Sequence, residues 1–263
     1  LAPLIALTAG ALAALALAGI ATLVGVSIWA ASESGAARDD AFRAGSAGLL
    51  LLGGLVVALL LGSGMVNRDA DGGWYGLLVG AGGGREAVTA GRLAGRALLL
   101  IGVVALWGVA MQLGSVIVGR GLDGALAVHT SAMVENLLLV FLAASLASVA
   151  LGPVASGVVG VVTLIIAQAF TNLHAAADAG VIGSVASPLV KAGYVVLPRA
   201  IMSPMISGMQ VRGAAGPAAP RFEINDAIVY IPPAGALTIL WTLLWCGILA
   251  GGTIAAMRRR ALS

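Results

Sequence analysis

Apolar residues along this chain fall in blocks of about twenty, not in the two-residue alternation of a strand or the single stripe of a surface helix. Six blocks stand out: Leu4–Ala31, Ser46–Val66, Leu93–Val118, Ser131–Leu151, Val154–Phe170 and Ala234–Met257. Roughly 20 helical residues at ~1.5 Å each cross a ~30 Å hydrocarbon core. A helix also satisfies its own backbone in lipid. The pattern therefore predicts six transmembrane helices. No block alternates strictly over ~10 residues, which argues against an outer-membrane barrel. The expected fold class is all-α, a polytopic helical membrane protein forming one transmembrane domain over residues 1–263. The first block starts without positive charge and outruns the apolar core of a cleaved signal peptide, so it is expected to be a span.

The polar breaks have individual characters. Ala31–Gly45 holds Glu33, Arg38, Asp39, Asp40 and Arg43, and Gly152-Pro153 predicts a tight turn. Residues 67–92 form a charged, glycine-rich island. Thr171–Pro233 is the longest break. Within it, Val181–Leu197 is apolar but contains Pro188 and Lys191, which suits a short interfacial or re-entrant helix. Pro198–Met209 reads as a second short helix, Gly213–Pro220 as a linker, and Phe222–Pro233 leads to the last block, where Trp241 and Trp245 share a face.

Composition agrees with the pattern. Apolar residues make up 60% and charged residues 10%, against roughly 25% charged in a soluble domain. The mean hydropathy is +1.06. A single cysteine, Cys246, excludes an intrachain disulfide and a cysteine metal cluster. The net charge of +3 bears on topology rather than on nucleic acid, and no nucleic-acid partner is expected. One side of the predicted topology collects Arg68, Arg85, Arg92, Arg96 and Arg258 to Arg260 with three acids. The other has seven basic and eight acidic residues, and four of those basic residues lie in the long break, which the positive-inside rule discounts. Both termini and the island are thus expected in the cytoplasm.

The island carries the clearest candidate chemistry. Arg68-Asp69-Ala70-Asp71-Gly72-Gly73 leaves the second block, and Trp74–Val79 is an amphipathic patch containing Leu77 and Leu78. Gly80–Gly84 is a flexible break, and Arg85–Arg96 reads as a helix entering the third block with Glu86 and Arg92 at the surface. A helix along a membrane surface can offer one face to lipid and the other to a docking protein. The plainer reading is a loop whose arginines obey the topology rule. The glycines do not make a phosphate cradle, because Arg85-Glu86 follows them where a P-loop needs lysine and a hydroxyl.

Polar residues inside the blocks include Gln112, Ser115, Glu135, Asn136, Ser145, Ser148, Thr163 and Gln168. Ionisable groups in lipid are costly and commonly face a cavity or a helix interface. Glu135-Asn136 is therefore a candidate for substrate passage or subunit contact, with a hydrated interfacial carboxylate as the alternative. Met202, Met205 and Met209 share one face of the second outer helix; thioethers suit Cu(I), although such a stripe is more commonly an apolar packing face. His129 and His174 are expected near the outer surface without metal-ligand spacing. Gly53, Gly54, Gly62, Gly64, Gly91 and Gly95 are expected to allow close helix approach. There is no H-E-x-x-H, no G-x-S-x-G and no pair of intramembrane aspartates, so an intramembrane hydrolase is not expected.

The island and its surroundings resemble the permease subunits of the type-2 ABC exporter family, and within it the branch of multicopper-enzyme-maturation permeases. The residues that carry the resemblance are Arg68, Asp69 or Asp71, Gly72 or Gly73, Leu77-Leu78, Arg85 and Gly91-Arg92-Leu93. Gly82-Gly83-Gly84 stands where the family usually has proline, and Trp74 stands where it has threonine or serine. Six spans, a tight turn between the fourth and fifth, a large outer segment before the sixth and a basic tail fit the same outline. The resemblance implies a bacterial inner-membrane exporter subunit that pairs with a second permease, identical or not. Two cytoplasmic ATPase subunits would hold ATP and Mg, leaving no cofactor on this chain. It implies docking through Arg68, Asp69, Asp71, Gly72, Trp74, Leu77, Leu78, Arg85, Glu86 and Arg92 on a coupling helix, and leaves room for an accessory outer-face protein. A secondary transporter or channel, or a membrane scaffold for an outer-face partner, are the competing classes.

Overall fold

The computed structural model describes residues 17–29, 35–66, 84–119, 121–201, 221–224, 227–230 and 235–259, together with Ala14, Ser32 and Gly80. The first apolar block appears as α1, Leu17–Trp29. Five longer helices follow: α2 (Gly35–Gly62), α3 (Arg85–Ile117), α4 (Gly124–Ala147), α5 (Pro153–Asp178) and, at the end of the chain, α7 (Ala236–Arg259). Each of the five is long and apolar enough to cross a membrane, so this is a helical membrane protein. The short helix α6 spans Ala186–Val196. Outside the spans a two-residue hairpin pairs β1 (Arg221–Ile224) with β2 (Ala227–Tyr230) antiparallel, Ile224 opposite Ala227. The all-helical expectation thus holds for the spans and misses this hairpin, whose β-branched and aromatic residues around Asn225-Asp226 are its local signal.

Two helices begin earlier than their apolar blocks. Helix α2 takes in much of the segment expected to be a connection, and α3 starts at Arg85, before the third block. At 1.5 Å per residue the 33 residues of α3 reach about 50 Å, well beyond a ~30 Å hydrocarbon core. All its charged residues lie in the first turns, so that end carries the excess. The expected turn at Gly152-Pro153 is present: Gly152 is the N-cap of α5 and proline occupies its first turn, where a missing N–H costs nothing.

The chain packs as two units. One contains α1, the N-terminal part of α2, residues 101–134 and the hairpin. Its centre is Trp107, 2% exposed. The indole lies over two glycines, and a Cβ on Gly19 or Gly53 would collide with it. Gly114 is closed over by Ser27 and Phe42 in the same way. The turn from α3 to α4 is tied down by polar groups. The Gln112 side chain donates to the Asp123 carbonyl (2.8 Å) and accepts from the Asp123 N–H (3.0 Å). Ser115 donates to the Gly121 carbonyl, and Asp123 both caps the N–H of Ala125 and pairs with Arg43 at 3.2 Å. Gln112 and Ser115, polar positions within an apolar block, therefore serve this turn.

The second unit contains residues 58–66, 84–100, 135–201 and 235–259 among those described. Small residues set its helix spacing. A Cβ on Gly62 of α2 would lie 2.6 Å from the Phe141 carbonyl oxygen of α4, and one on Gly160 of α5 would lie 2.9 Å from that of Val140. Both would also press on the Ala144 methyl. Gly91 and Gly95 face open space, so the G-x-x-x-G spacing there is not a close helix contact. Gly64 has φ +67°, a left-handed backbone that ends α2. Its N–H donates to Ser156 of α5 and the next, from Val66, to Ser148. Ser145 and Thr163 donate to carbonyls of their own helices, the usual fate of such hydroxyls in an apolar span.

Candidate functional site

The predicted docking residues divide sharply. Arg68, Asp69, Asp71, Gly72, Trp74, Leu77 and Leu78 lie outside the described residues. Arg85, Glu86 and Arg92 stand in the first turns of α3, and Glu86 is exposed. In the second unit, Val66 after α2 packs with Met257 near the end of α7, and Val88 of α3 and Val149 after α4 pack against them. Arg258 reaches Glu86 at 3.2 Å, both side chains more than half exposed. The arginine-bearing start of α3 and the basic end of α7 therefore share one end of this unit, as the charge pattern predicts. An exposed pair of this kind contributes about 0–1 kcal/mol. Arg258→Gln is accordingly expected to leave the unfolding midpoint in detergent essentially unchanged; a large drop would mean that the pair holds the α3–α7 junction together.

The middle of α4, the later part of α5 and the start of α7 build a second, more elaborate arrangement around residues 196–201. This segment is not helical: α6 stops at Val196, Leu197 is extended with ψ 159°, and Pro198 follows. A residue before proline disfavours the α conformation, which ends α6 at this point; the expected second helix, Pro198–Met209, is not helical over its described residues 198–201. Its remaining residues, including Met202, Met205 and Met209, lie outside the described residues. A buried backbone without helical bonds needs other partners, and three helices supply them here. Asn136 of α4 grips Ile201 from both sides, its Nδ2 donating to the carbonyl and its Oδ1 accepting from the N–H, each at 2.9 Å. From α7, Trp241 donates to Leu197 (3.0 Å), Thr242 to Arg199 (3.0 Å) and Trp245 to Val196 (3.2 Å). Thr171 of α5 completes the set with a longer contact to Ala200.

Charged and aromatic side chains sit on this clamp. The Arg199 guanidinium lies 4.1 Å over the Tyr194 ring and 5.4 Å from the Trp241 ring. Its Nε donates to the Tyr194 carbonyl at 3.0 Å. The His174 and Tyr194 rings lie 3.8 Å apart. Asp178 accepts from Lys191 at 2.9 Å and stands 3.5 Å from His174. The sequence singled out Asn136 and the two tryptophans but could not show that all three address one stretch of backbone. Thr242 and Arg199 were missed altogether. Neither left a local signal, since Arg199 and the span that holds Thr242 lie far apart in the chain.

The remaining candidates fare differently. Glu135 is partly buried, and its Oε2 is enclosed with no hydrogen-bond partner among the described residues. It does not share the role of its neighbour Asn136. His129 is fully buried near the start of α4. Among the described residues no group of three or more His, Cys, Asp or Glu is placed to hold a metal ion. No protein-family model matches the chain, and neither do any curated protein or solved structure.

Proposed function

We infer that this chain is the transmembrane permease subunit of an ATP-driven exporter of the type-2 ABC kind, six-spanning, in a bacterial inner membrane with both termini in the cytoplasm. The observation that carries the reading is α3. A helix that outruns the hydrocarbon core and bears Arg85, Glu86 and Arg92 on its protruding turns is suited to receive a push from a soluble partner, following a charged glycine-rich island of the family's pattern. The link from Glu86 to Arg258 supports a common cytoplasmic side for the island and the basic tail. Counting Leu4–Ala31 as a span, of which α1 is the described part, makes six, and an even number returns both ends to one side. In this reading two ATPase subunits hold ATP and Mg, a second permease completes the pathway, and the outer segment leaves room for an accessory protein.

The test is purification of the complex in mild detergent. A stoichiometric subunit with a Walker A motif is expected to accompany the chain. The double reversal Arg85→Glu with Arg92→Glu is expected to weaken its retention by about tenfold or more, since like charges facing across an interface cost several kcal/mol, without lowering the unfolding midpoint of the permease. Undiminished retention of the ATPase overturns docking at this helix. One observation favours a second reading: the enclosed Glu135 oxygen is the kind of group an ion- or proton-coupled transporter uses. Substrate movement in ATP-free liposomes, lost on Glu135→Gln, would put that reading first.

A further inference from the structure

We propose that Arg199 is the centre of a binding site for a phosphate group at the membrane face opposite the α3–α7 charge pair. The guanidinium is already immobilised. Its plane rests against Tyr194 and Trp241, its Nε is engaged by the Tyr194 carbonyl, and its own carbonyl is held by Thr242. The Trp241 ring is itself fixed by its bond to Leu197. Little rotamer entropy remains to be lost when a ligand arrives, which is the main cost of recruiting an arginine. What remains undirected is the outer edge of the fork. Among the described residues the two Nη groups donate no hydrogen bond and Arg199 forms no ion pair, although the side chain is only partly exposed.

The neighbouring charges favour an anion. The one carboxylate of the cluster, Asp178, is taken by Lys191 at 2.9 Å with His174 beside it, so its charge is offset and Arg199 remains the surplus cation. A fork of parallel N–H donors matches a phosphate better than a point charge does. The position, at the start of α7 among Trp241, Trp245 and Tyr194, is that of an aromatic belt at headgroup level. A phospholipid headgroup and a soluble phosphate share this chemistry, and the experiment separates them.

The full chain, purified in a maltoside detergent that contains no phosphate, is titrated with dioleoyl phosphatidylglycerol, with dioleoylglycerol and with inorganic phosphate. Binding is read by native mass spectrometry and by the unfolding midpoint. The wild-type chain is expected to bind phosphatidylglycerol and to be stabilised by it, and dioleoylglycerol, with the same chains and no phosphate, is expected to do neither. Protection by inorganic phosphate at millimolar concentration would assign the site to a soluble ligand and still support it. Arg199→Gln is expected to weaken binding about tenfold or more, the loss of a charge-assisted pair of hydrogen bonds. Arg199→Lys keeps the charge but not the fork; it is expected to fold and to bind several-fold more weakly, so it decides the matter if the glutamine variant does not fold. Equal response to phosphatidylglycerol and dioleoylglycerol with none to phosphate overturns the site, as does wild-type affinity in Arg199→Lys together with wild-type affinity in any folded Arg199→Gln.

Discussion

Replacing Asn136 by leucine is expected to loosen the 196–201 clamp and to lower stability by roughly 2–6 kcal/mol, because a buried backbone donor and a buried acceptor each cost about 1–3 kcal/mol when left without a partner. Asn136 is 4% exposed and Ile201 5%. Leucine fills much the same volume, so packing is nearly conserved and the effect isolates the two 2.9 Å hydrogen bonds. No other side chain is bonded to the Ile201 peptide among the described residues, and burial shields it from water. Two measurements check this. The unfolding midpoint in detergent falls, and exchange of the Arg199–Ile201 amides accelerates by at least about tenfold while exchange in the middle of α5 stays slow. Ser131→Ala, an exposed position of the same helix, serves as the control. An unchanged midpoint with unchanged exchange at Ile201 would show that Asn136 does not hold the segment.

Leucine at Gly62 or Gly160 is expected to be as damaging for the opposite reason. Here a side chain is added where none fits. The obstacle at each position is a main-chain carbonyl of α4, 2.6 Å from a Cβ on Gly62 and 2.9 Å from one on Gly160. A backbone oxygen cannot swing aside as a side chain can, so α2 or α5 must withdraw and the packing that holds it to α4 is lost. Overpacking of this kind costs about 1–3 kcal/mol, and more where helices are forced apart. A Cβ at either position would also press on Ala144, so the double replacement is expected to cost less than the sum of the two. Gly95→Leu and Gly102→Leu, where a Cβ meets nothing within 4 Å, are expected to be near neutral. Thermal unfolding of the four variants in one detergent decides it; damage at Gly95 equal to that at Gly62 would mean that an unseen neighbour covers α3.

The functional candidates were only partly legible for a related reason. Arg85, Glu86 and Arg92 could be placed at a membrane surface because charge is excluded from lipid wherever it occurs, and that rule needs no neighbour. The pairing of Glu86 with Arg258 joins positions far apart in the chain and leaves no local trace. Glu135 and Asn136 look alike from the sequence, adjacent polar residues in an apolar run. The structure separates them, since successive residues of a helix point about 100° apart. One meets the Ile201 peptide, and the other has an enclosed oxygen without a partner among the described residues.

What the sequence determined by itself is whatever lipid demands of every chain. Runs of about twenty apolar residues become helices because no other isolated segment can satisfy its backbone there, and Gly152-Pro153 must turn because proline cannot continue a helix. Tertiary structure alone decided which glycines are contacts, for Gly62 and Gly95 are the same residue until a neighbouring helix arrives. It also decided that residues 197–201 stay non-helical, since a buried backbone without helical bonds persists only where Asn136, Thr242 and Trp241 converge on it from helices distant in sequence. The spacing of apolar residues encodes depth in the membrane. It carries no information about which helix will supply the missing hydrogen bond.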